Sequence, residues 1–285
     1  MKAIVIERFG GSEELVKRGL PRPTPRDGEV LIRVVAAGVS RLDVTACRGE
    51  ARGSITVDFP WVPGFEVAGV VDQLGPGCRR FRTGDRVCAL LPDGGGYAQF
   101  VGVKEDYVAP LPASLLFEEA AALPLDGYAV WSALFGDEPV DGSSTVIIRG
   151  ASTGAGHLAV QIALAAGARV LVDAADDEER EFVAKLGHVE WLKATSLPAA
   201  DCRIHASTSE TCAEGWIDLS GGDGSLQACR LKPDRAREAA AQVSGLAERR
   251  RLRPRLFKIL NIQEVVQTHR DLESGSTHGK LALTF

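Results

Sequence analysis

The chain has 285 residues, a formal net charge of −5 at pH 7, 45% hydrophobic residues and 25% charged residues. This composition is typical of a globular protein with one or two domains, and its acidic balance argues against a nucleic-acid partner. The N-terminal residues contain no secretory signal, and the apolar stretch 155–172 is interrupted by His157, Gln161 and Arg169. We therefore expect a cytoplasmic protein with no membrane partner.

The cysteines and histidines show no metal-binding pattern. No two cysteines form a C-x-x-C pair, and no two histidines stand three to five residues apart. A metal cluster or a disulfide framework is therefore not expected, and buried thiols are the simpler interpretation. The cysteines are Cys47, Cys78, Cys88, Cys202, Cys212 and Cys229.

Residues 2–111 are predicted to form many short strands separated by turns rich in Gly, Pro and Asp. This pattern is typical of an antiparallel barrel or sandwich. The predicted strands are Lys2–Ile6, Val30–Val35, Val67–Val71, Arg86–Leu90 and Tyr97–Val103.

From residue 114 the pattern changes to alternating helices and strands. Ser114 resembles a helix N-cap, with Glu118 and Glu119 in the first turn, so a helix is predicted to end near Leu123. A second helix is predicted from Asp126 to Phe135, with Asp126 as a possible N-cap.

The central unit of the chain reads as strand, glycine turn, helix and strand. Val146–Ile148 predict a buried strand, His157–Ala166 a helix ending at Gly167, and Val170–Val172 a second strand. A helix that begins at a glycine turn favours an anion at its N-terminus. Asp173 follows the second strand, where a dinucleotide fold places the acid that binds the adenine ribose. The turn residues are therefore predicted to bind a dinucleotide; they are Gly150, Ser152, Thr153, Gly154, Ala155 and Gly156.

Gly150-Ala-Ser-Thr-Gly154 also fits G-x-S-x-G, the nucleophile elbow of α/β-hydrolases, with Ser152 as nucleophile. That fold would require alternating strands and helices before residue 145. The strand-rich pattern there disfavours this alternative.

The remaining segments continue the α/β pattern. A helix is predicted after Asp176 up to Gly187, followed by short strands at Cys202–His205 and Trp216–Leu219. The later predicted elements are a turn at Gly221–Gly224, helices at Asp234–Arg250 and Ile262–Leu272, and a closing strand at Lys280–Phe285.

Six motifs are distributed over almost the whole chain. They are Gly38-Val-Ser-Arg-Leu-Asp43, Pro63-Gly-Phe-Glu-Val-Ala-Gly-Val-Val71, Gly84-Asp-Arg-Val87, Gly95-Gly-Tyr-Ala98, Gly150-Ala-Ser-Thr-Gly-Ala-Gly156 and Gly279-Lys-Leu-Ala-Leu283. Together they resemble the medium-chain dehydrogenase/reductase superfamily, in its zinc-free quinone oxidoreductase and enoyl reductase branch. The resemblance implies an α/β protein with a β-rich, GroES-like barrel catalytic domain (1–117 and 254–285) and a shortened Rossmann-type parallel-sheet nucleotide-binding domain (118–253).

The resemblance also implies that no zinc is bound. Zinc-dependent relatives have Cys and His at the positions of Ser40 and Phe65, and a hydroxyl and a phenyl ring cannot complete a tetrahedral zinc site. Zinc-free relatives usually have Asn at the position of Ser40 and Thr at that of Ala129. The turn is therefore better preserved than the polar contacts to the nicotinamide.

The resemblance implies hydride transfer from NAD(P)H to a quinone or to an activated C=C of an enone or enoyl substrate. The implied catalytic candidates are Ser40, Asp126 and Tyr128, with Lys280 as a further cofactor-binding residue. Trp61 and Tyr97 are expected to line the pocket for a small apolar conjugated carbonyl or quinone. Two alternatives remain open: a non-redox enzyme of the cyclase, isomerase or lyase type in the same pocket, and a non-catalytic dimeric binding protein.

The acidic loop after the second strand bears on the choice of cofactor. Asp173 and the acids at 176–179 would repel the 2′-phosphate of NADPH, so NADH is weakly favoured. The acids at 176–179 are also what the first turn of a helix favours, in which case only Asp173 matters. The fold further implies a homodimer.

Overall fold

The computed structural model describes residues 1–51, 55–136, 138–192, 198–207, 215–220 and 228–285. The strands in these ranges are β1 (Lys2–Val5), β2 (Val16–Gly19), β3 (Glu29–Val39), β4 (Glu66–Leu74), β5 (Arg86–Leu90), β6 (Phe100–Lys104), β7 (Val108–Pro110), β8 (Thr145–Arg149), β9 (Arg169–Val172), β10 (Glu190–Trp191), β11 (Cys202–His205), β12 (Ile217–Asp218), β13 (Leu256–Asn261) and β14 (Lys280–Thr284). The α-helices are α1 (Arg41–Arg48), α2 (Phe117–Ala121), α3 (Pro124–Leu134), α4 (Gly154–Ala166), α5 (Asp177–Ala184), α6 (Pro233–Glu248) and α7 (Val265–Glu273). Three short 3-10 helices lie at Ser12–Glu14, Glu105–Tyr107 and Ile262–Glu264. Throughout these ranges, every helix is too short or too polar to cross a membrane.

The first half of the chain and its C-terminal segment form a mixed sheet with the strand order β13-β14-β3-β4-β5-β7, in which β6 also pairs with β3. Within the first half all pairs are antiparallel, as the sequence predicts. β14 returns from the far end of the chain, pairs antiparallel with β3 and runs parallel to β13. The C-terminal residues therefore complete a sheet that the N-terminal residues begin.

The second half forms a parallel sheet with the order β10-β9-β8-β11-β12. Val146, Ile147 and Ile148 are all fully buried, as expected for a strand covered on both faces. α4 is the crossover between β8 and β9 and ends at Gly167, whose φ of 89° is the left-handed conformation that glycine adopts readily. The predicted parallel α/β unit is confirmed.

α3 joins the two sheets. It packs on α4 and α6 and also contacts β4 and β5. Nine of its residues are buried, so it lacks the polar stripe of a surface helix. A single hydrophobic core consequently continues from one sheet into the other.

Some predicted boundaries are wrong. Ser114 is not an N-cap: its hydroxyl donates to the carbonyl of Ala247 at 2.9 Å, and α2 begins at Phe117 after Leu116. Nor is Asp126 a cap, because α3 already begins at Pro124. α1, β2, β7, β10 and β13 were not predicted. The predicted turn at 221–224 and Cys212 lie outside the described residues.

Candidate functional site

The glycine turn lies at the carboxyl end of β8, where α4 begins. Thr153 caps the helix: its hydroxyl accepts the N–H of Gly156 at 3.1 Å and donates to the carbonyl of Gly150 at 2.8 Å. A Cβ on Gly156 would stand 2.0 Å from that carbonyl oxygen, so only glycine permits this turn. Gly154 and Ala155, the first residues of α4, line an open cleft.

The cleft separates the parallel sheet from the mixed sheet. Its lining includes Thr153, Gly154 and Ala155 from the glycine turn and α4, and the polar side chains of Ser40, Arg41, Asp126 and Lys280. The N-terminus of α4, a long helix, attracts anions. The other polar side chains include both cations and a carboxylate, so different parts of the lining suit different ligand groups.

The C-terminal segment brings Lys280 to this cleft. The N–H of Gly279 donates to the carbonyl of Ser152 at 2.7 Å, which ties the start of β14 to the glycine turn. The N–H of Lys280 donates to the carbonyl of Arg255 at 2.8 Å. Residues from the middle of the chain and from its C-terminal segment thus meet at the glycine turn.

Lys280 is the centre of a buried ion cluster. Its Nζ lies 2.6 Å from Glu66 Oε1 and 2.7 Å from Asp126 Oδ2. The contact with Asp126 is an aligned hydrogen bond, whereas that with Glu66 has the geometry of an ion pair only. Glu66 Oε2 accepts the N–H of Leu125 at 3.0 Å, which positions the first turn of α3.

Burial controls the charges of this cluster. It raises the pKa of Glu66 because the carboxylate has left water, and Asp126 adds to the rise. Burial alone would lower the pKa of Lys280, but the combined attraction of Asp126 and Glu66 outweighs it and raises that pKa. Lys280 is therefore a fixed positive charge at the inner end of the cleft.

Ser40 also lies in the cleft, just before α1. Its hydroxyl and its backbone N–H both donate to Asp43 Oδ2 at 2.8 Å. Asp43 is fully buried, and burial raises its pKa to about 6. The proton of the Ser40 hydroxyl is therefore directed to Asp43 while Asp43 is ionised.

The predicted ribose-binding acid, Asp173, follows β9. Its Oδ1 accepts the N–H of Gly150 at 3.1 Å, and its Oδ2 lies 3.6 Å from Nε of Arg149. The side chain is 41% exposed, so it remains accessible to a ligand. The structure thus places Asp173 beside the glycine turn, as the dinucleotide pattern expects.

Three predicted site residues lie elsewhere and require correction. Tyr128 is buried, and its hydroxyl has no hydrogen-bond partner in the described part of the chain. Tyr97 is fully buried with its hydroxyl 3.1 Å from Nε2 of His269, and Trp61 donates from Nε1 to the carbonyl of Asp93 at 3.0 Å. Among the described residues, the walls of the cleft include none of the three. They belong to the core.

Ser152 is also turned away from the cleft. Its hydroxyl is buried and donates to Glu179 Oε1 at 2.8 Å. It therefore joins the turn to α5 and is not presented to a ligand, either as a cofactor contact or as the nucleophile of a hydrolase.

Sequence reasoning missed Glu66, Arg41 and Arg149. Glu66 stands within the motif Pro63–Val71 as a lone acid in an apolar run, and a buried acid requires a partner. That signal could have identified it. Arg41 directly follows Ser40, and Arg149 directly precedes Gly150, both of which were predicted as site residues. Nothing in the spacing of the two arginines shows where their side chains lie.

Within the described ranges, no group of three or more His, Cys, Asp or Glu side chains could hold a metal ion. At the positions of the zinc ligands in zinc-dependent relatives, Ser40 lines the cleft and Phe65 is fully buried.

Comparison with known proteins agrees with this architecture. A family model described as "Alcohol dehydrogenase GroES-like domain" matches residues 26–113. The quinone oxidoreductase of Mus musculus is 36% identical over 188 residues, which cover 66% of this chain and 56% of that protein. The chain thus spans little more than half the length of the curated relatives that it matches first.

Solved structures also match over the whole chain, and two of them illustrate the likeness. An alcohol dehydrogenase superfamily protein from Novosphingobium aromaticivorans is 28% identical, with a TM-score of 0.85 and coverage of 100% of this chain and 99% of that one. An NAD-dependent alcohol dehydrogenase is 26% identical, with a TM-score of 0.83 and full coverage of both chains. The α/β fold with a GroES-like part and a Rossmann-like parallel sheet is therefore confirmed.

Proposed function

Because the chain belongs to the medium-chain dehydrogenase/reductase superfamily, in its quinone oxidoreductase-like branch, we propose that it reduces a quinone with a nicotinamide dinucleotide. The observation that carries this proposal is the glycine turn, which opens the N-terminus of α4 onto the cleft. An activated C=C of an enone or enoyl compound is the second substrate class, since it accepts the same hydride.

The residues present fit a dinucleotide. Gly154 and Ala155 at the start of α4 suit a diphosphate, since they combine helix N–H groups with the absence of bulky side chains. Asp173 offers a carboxylate to the adenine ribose, and the cleft continues from the turn to Ser40 and Lys280. When bound, the nicotinamide supplies the hydride.

The inner end of the cleft has groups that can hold a proton for the reduced product. Asp43, with a pKa of about 6, carries a proton part of the time near neutral pH. A protonated Asp43 would donate to Ser40 Oγ, and the Ser40 hydroxyl would then be free to donate into the cleft. We assign Ser40 the role of donating a proton to the reduced product. Asp43 has the role of supplying a proton to Ser40.

Lys280 and Asp126 have a different role in this proposal. The raised pKa of Lys280 makes it a poor acid, so it acts as a fixed cation. It holds Asp126 against the first residue of α4, where a Cβ on Gly154 would lie 3.1 Å from Asp126 Oδ2. The pair thereby shapes the part of the cleft between the proposed diphosphate site and the proposed site of hydride transfer.

The same reasoning supports several finer proposals. We propose that the reaction needs no zinc, since a hydroxyl and a phenyl ring occupy the positions of two zinc ligands. Asp173 favours NADH weakly over NADPH. The residues 1–117 and 254–285 form the catalytic unit, 118–253 the nucleotide-binding unit, and the assembly is a homodimer.

A two-step experiment tests the proposed function. The melting temperature of the purified protein is measured with and without NADH or NADPH, and 1,4-benzoquinone reduction is followed by the loss of nicotinamide absorbance. We expect a rise of the melting temperature, since a ligand of the folded state stabilises it, and turnover of the quinone. Nucleotide binding without reduction of a quinone or an enone would favour the non-redox enzyme. No shift with either nucleotide would favour the binding protein.

A further inference from the structure

Arg149 is the last residue of β8 and directly precedes the glycine turn. Its Nε lies 3.6 Å from Asp173 Oδ2, and its guanidinium carbon lies 5.2 Å from the centre of the Trp216 ring. The side chain is 32% exposed, so part of it faces solvent beside Asp173. A guanidinium packed on an indole ring is restrained in position, which favours a defined contact with a ligand.

The negative charge of Asp173 is partly offset by neighbouring hydrogen-bond donors. One oxygen accepts the N–H of Gly150, and the other faces Arg149. A carboxylate next to a guanidinium repels an incoming phosphate less than an isolated carboxylate does. The negative charge that favours NADH is therefore opposed by a positive charge from the adjacent strand.

Two of the other acids in this loop serve the local structure. Asp176 caps α5 by accepting the N–H of Glu179 at 2.9 Å. Glu179 accepts from the Ser152 hydroxyl and from the N–H of Ala175, each at 2.8 Å. The helix and the turn hold these two carboxylates in place. The electrostatic balance at the adenine ribose therefore depends chiefly on Asp173 and Arg149.

We propose that Arg149 is a specificity-determining residue of the nucleotide site, which offers its guanidinium to a 2′-phosphate on the adenine ribose. This inference rests on the proposed function, because it requires a nicotinamide dinucleotide in the cleft. Asp173 serves NADH through the 2′-hydroxyl, and Arg149 serves NADPH through the phosphate, for which the planar guanidinium is suited. The preference for NADH is weak because of Arg149.

The first test compares the dissociation constants of NADH and NADPH, measured by fluorescence, in the wild type and in Arg149→Ala. NADPH is expected to bind about tenfold more weakly to the variant, as for the loss of one charge-assisted phosphate contact, while NADH changes less than about threefold. Arg149→Lys keeps the charge without the planar fork and is expected to fall between the two.

Arg169→Ala is the matched control. Arg169 begins β9 at the opposite edge of the same sheet and pairs with Glu190 at 2.6 Å. Its removal changes the net charge equally, so a general electrostatic effect would weaken NADPH binding in both variants. We expect an effect only from Arg149→Ala.

Adenosine 2′,5′-bisphosphate and AMP separate the ribose end from the nicotinamide end. The bisphosphate is expected to lose affinity for Arg149→Ala, and AMP is expected to keep it. An equal loss of affinity for both probes, or no loss for either probe, would overturn the role of Arg149. Nucleotide binding without quinone reduction would contradict only the reductase, whereas a wild type that binds none of these nucleotides would overturn both proposals.

Discussion

Lys280 neutralises part of a buried cluster that would be unfavourable without it. Its side chain is 1% exposed, that of Glu66 is fully buried, and that of Asp126 is 7% exposed. A buried carboxylate without a partner costs several kcal/mol, so the ammonium is required for the stability of its two neighbours.

Replacing Lys280 by Met removes the cation but keeps most of the apolar volume. We expect the free energy of unfolding in urea at pH 7 to fall by about 3–5 kcal/mol, the usual effect of breaking a buried ion pair from one side. Lys185→Met is the control, because Lys185 and Glu181 form an exposed pair whose loss should cost less than about 1 kcal/mol. Similar losses in both variants would show that the buried cluster contributes little, and adding Glu66→Gln to Lys280→Met should recover part of the loss.

Of the site residues predicted from the sequence, Ser40, Asp126 and Lys280 line the cleft, whereas its described lining does not include Tyr128. Asp126 and Tyr128 both lie on α3, two positions apart. Side chains two positions apart on a helix are rotated by about 200° around its axis and so face nearly opposite sides. Asp126 therefore reaches the cleft, and Tyr128 reaches the core. The family motif places the segment, but only the rotation of the helix decides which side chain faces the site.

The glycine turn and α4 act as one element. The helix begins at Gly154, three residues before the predicted start at His157, because the cap at Thr153 compensates for the poor helix propensity of glycine. Propensity identifies the interior of this helix, whereas the contacts of its cap determine its start.

Gly156→Ala tests how tightly Gly156 packs against the carbonyl group of Gly150 in this turn. The new Cβ would stand 2.0 Å from the carbonyl oxygen of Gly150, and a backbone atom cannot move aside as a flexible side chain can. We expect a loss of about 3 kcal/mol in urea unfolding, together with a smaller thermal shift on adding NADH. Gly19→Ala is the control, since no atom lies within 4 Å of its added Cβ. An unchanged stability of Gly156→Ala would contradict the tight turn described above.

Across the whole molecule, buried titratable groups with opposing effects determine the response to acid. Burial lowers the pKa values of His157 and His269 to about 4 and raises that of Asp43 to about 6. Between pH 4 and 6.5 the folded state holds fewer protons on the histidines than the unfolded state, so each histidine destabilises the fold as pH falls, by about 3 kcal/mol. Asp43 has the opposite sign, because its folded form binds the proton first, and so has Glu66, whose pKa burial raises to about 7; together they offset about two histidines.

His157 shows why the charged form is excluded. Its Nε2 accepts the N–H of Arg255 at 3.0 Å, and its Nδ1 lies 2.9 Å from the carbonyl of Thr153. A second proton would leave Nε2 without its acceptor role, facing another donor.

In the wild type the opposing effects of the buried histidines and carboxyl groups are expected to nearly cancel between pH 6.5 and pH 4. His157→Gln should be less stable than the wild type at pH 7, but this difference should shrink or reverse by pH 4, because the variant lacks an acid destabilisation of about 3 kcal/mol. Urea unfolding at pH 7, 6, 5 and 4 provides the measurement. His188 is exposed, so His188→Gln should follow the wild-type curve. Parallel curves for all three proteins would contradict this assignment to His157.

The two halves of the fold differ in how far the sequence predicted them. Local patterns identify antiparallel strands before residue 111 and the parallel unit around β8 and β9. They do not identify β13, whose Phe257 and Ile259 are exposed without the alternation of a half-buried strand. They also cannot identify partners far apart in sequence, such as Lys280 and Glu66, because that contact depends on β14 pairing with β3.

The position of β14 between β3 and β13 has a consequence for folding during synthesis. β3 is synthesised long before its partner β14, so this edge stays open while the segment between them is translated. Loop closure over such a distance is slow, and an unpaired apolar strand can join another chain in the meantime. The parallel sheet, whose strands lie closer together in sequence, can assemble first. The mixed sheet, and with it the inner end of the cleft, is therefore completed after the parallel sheet.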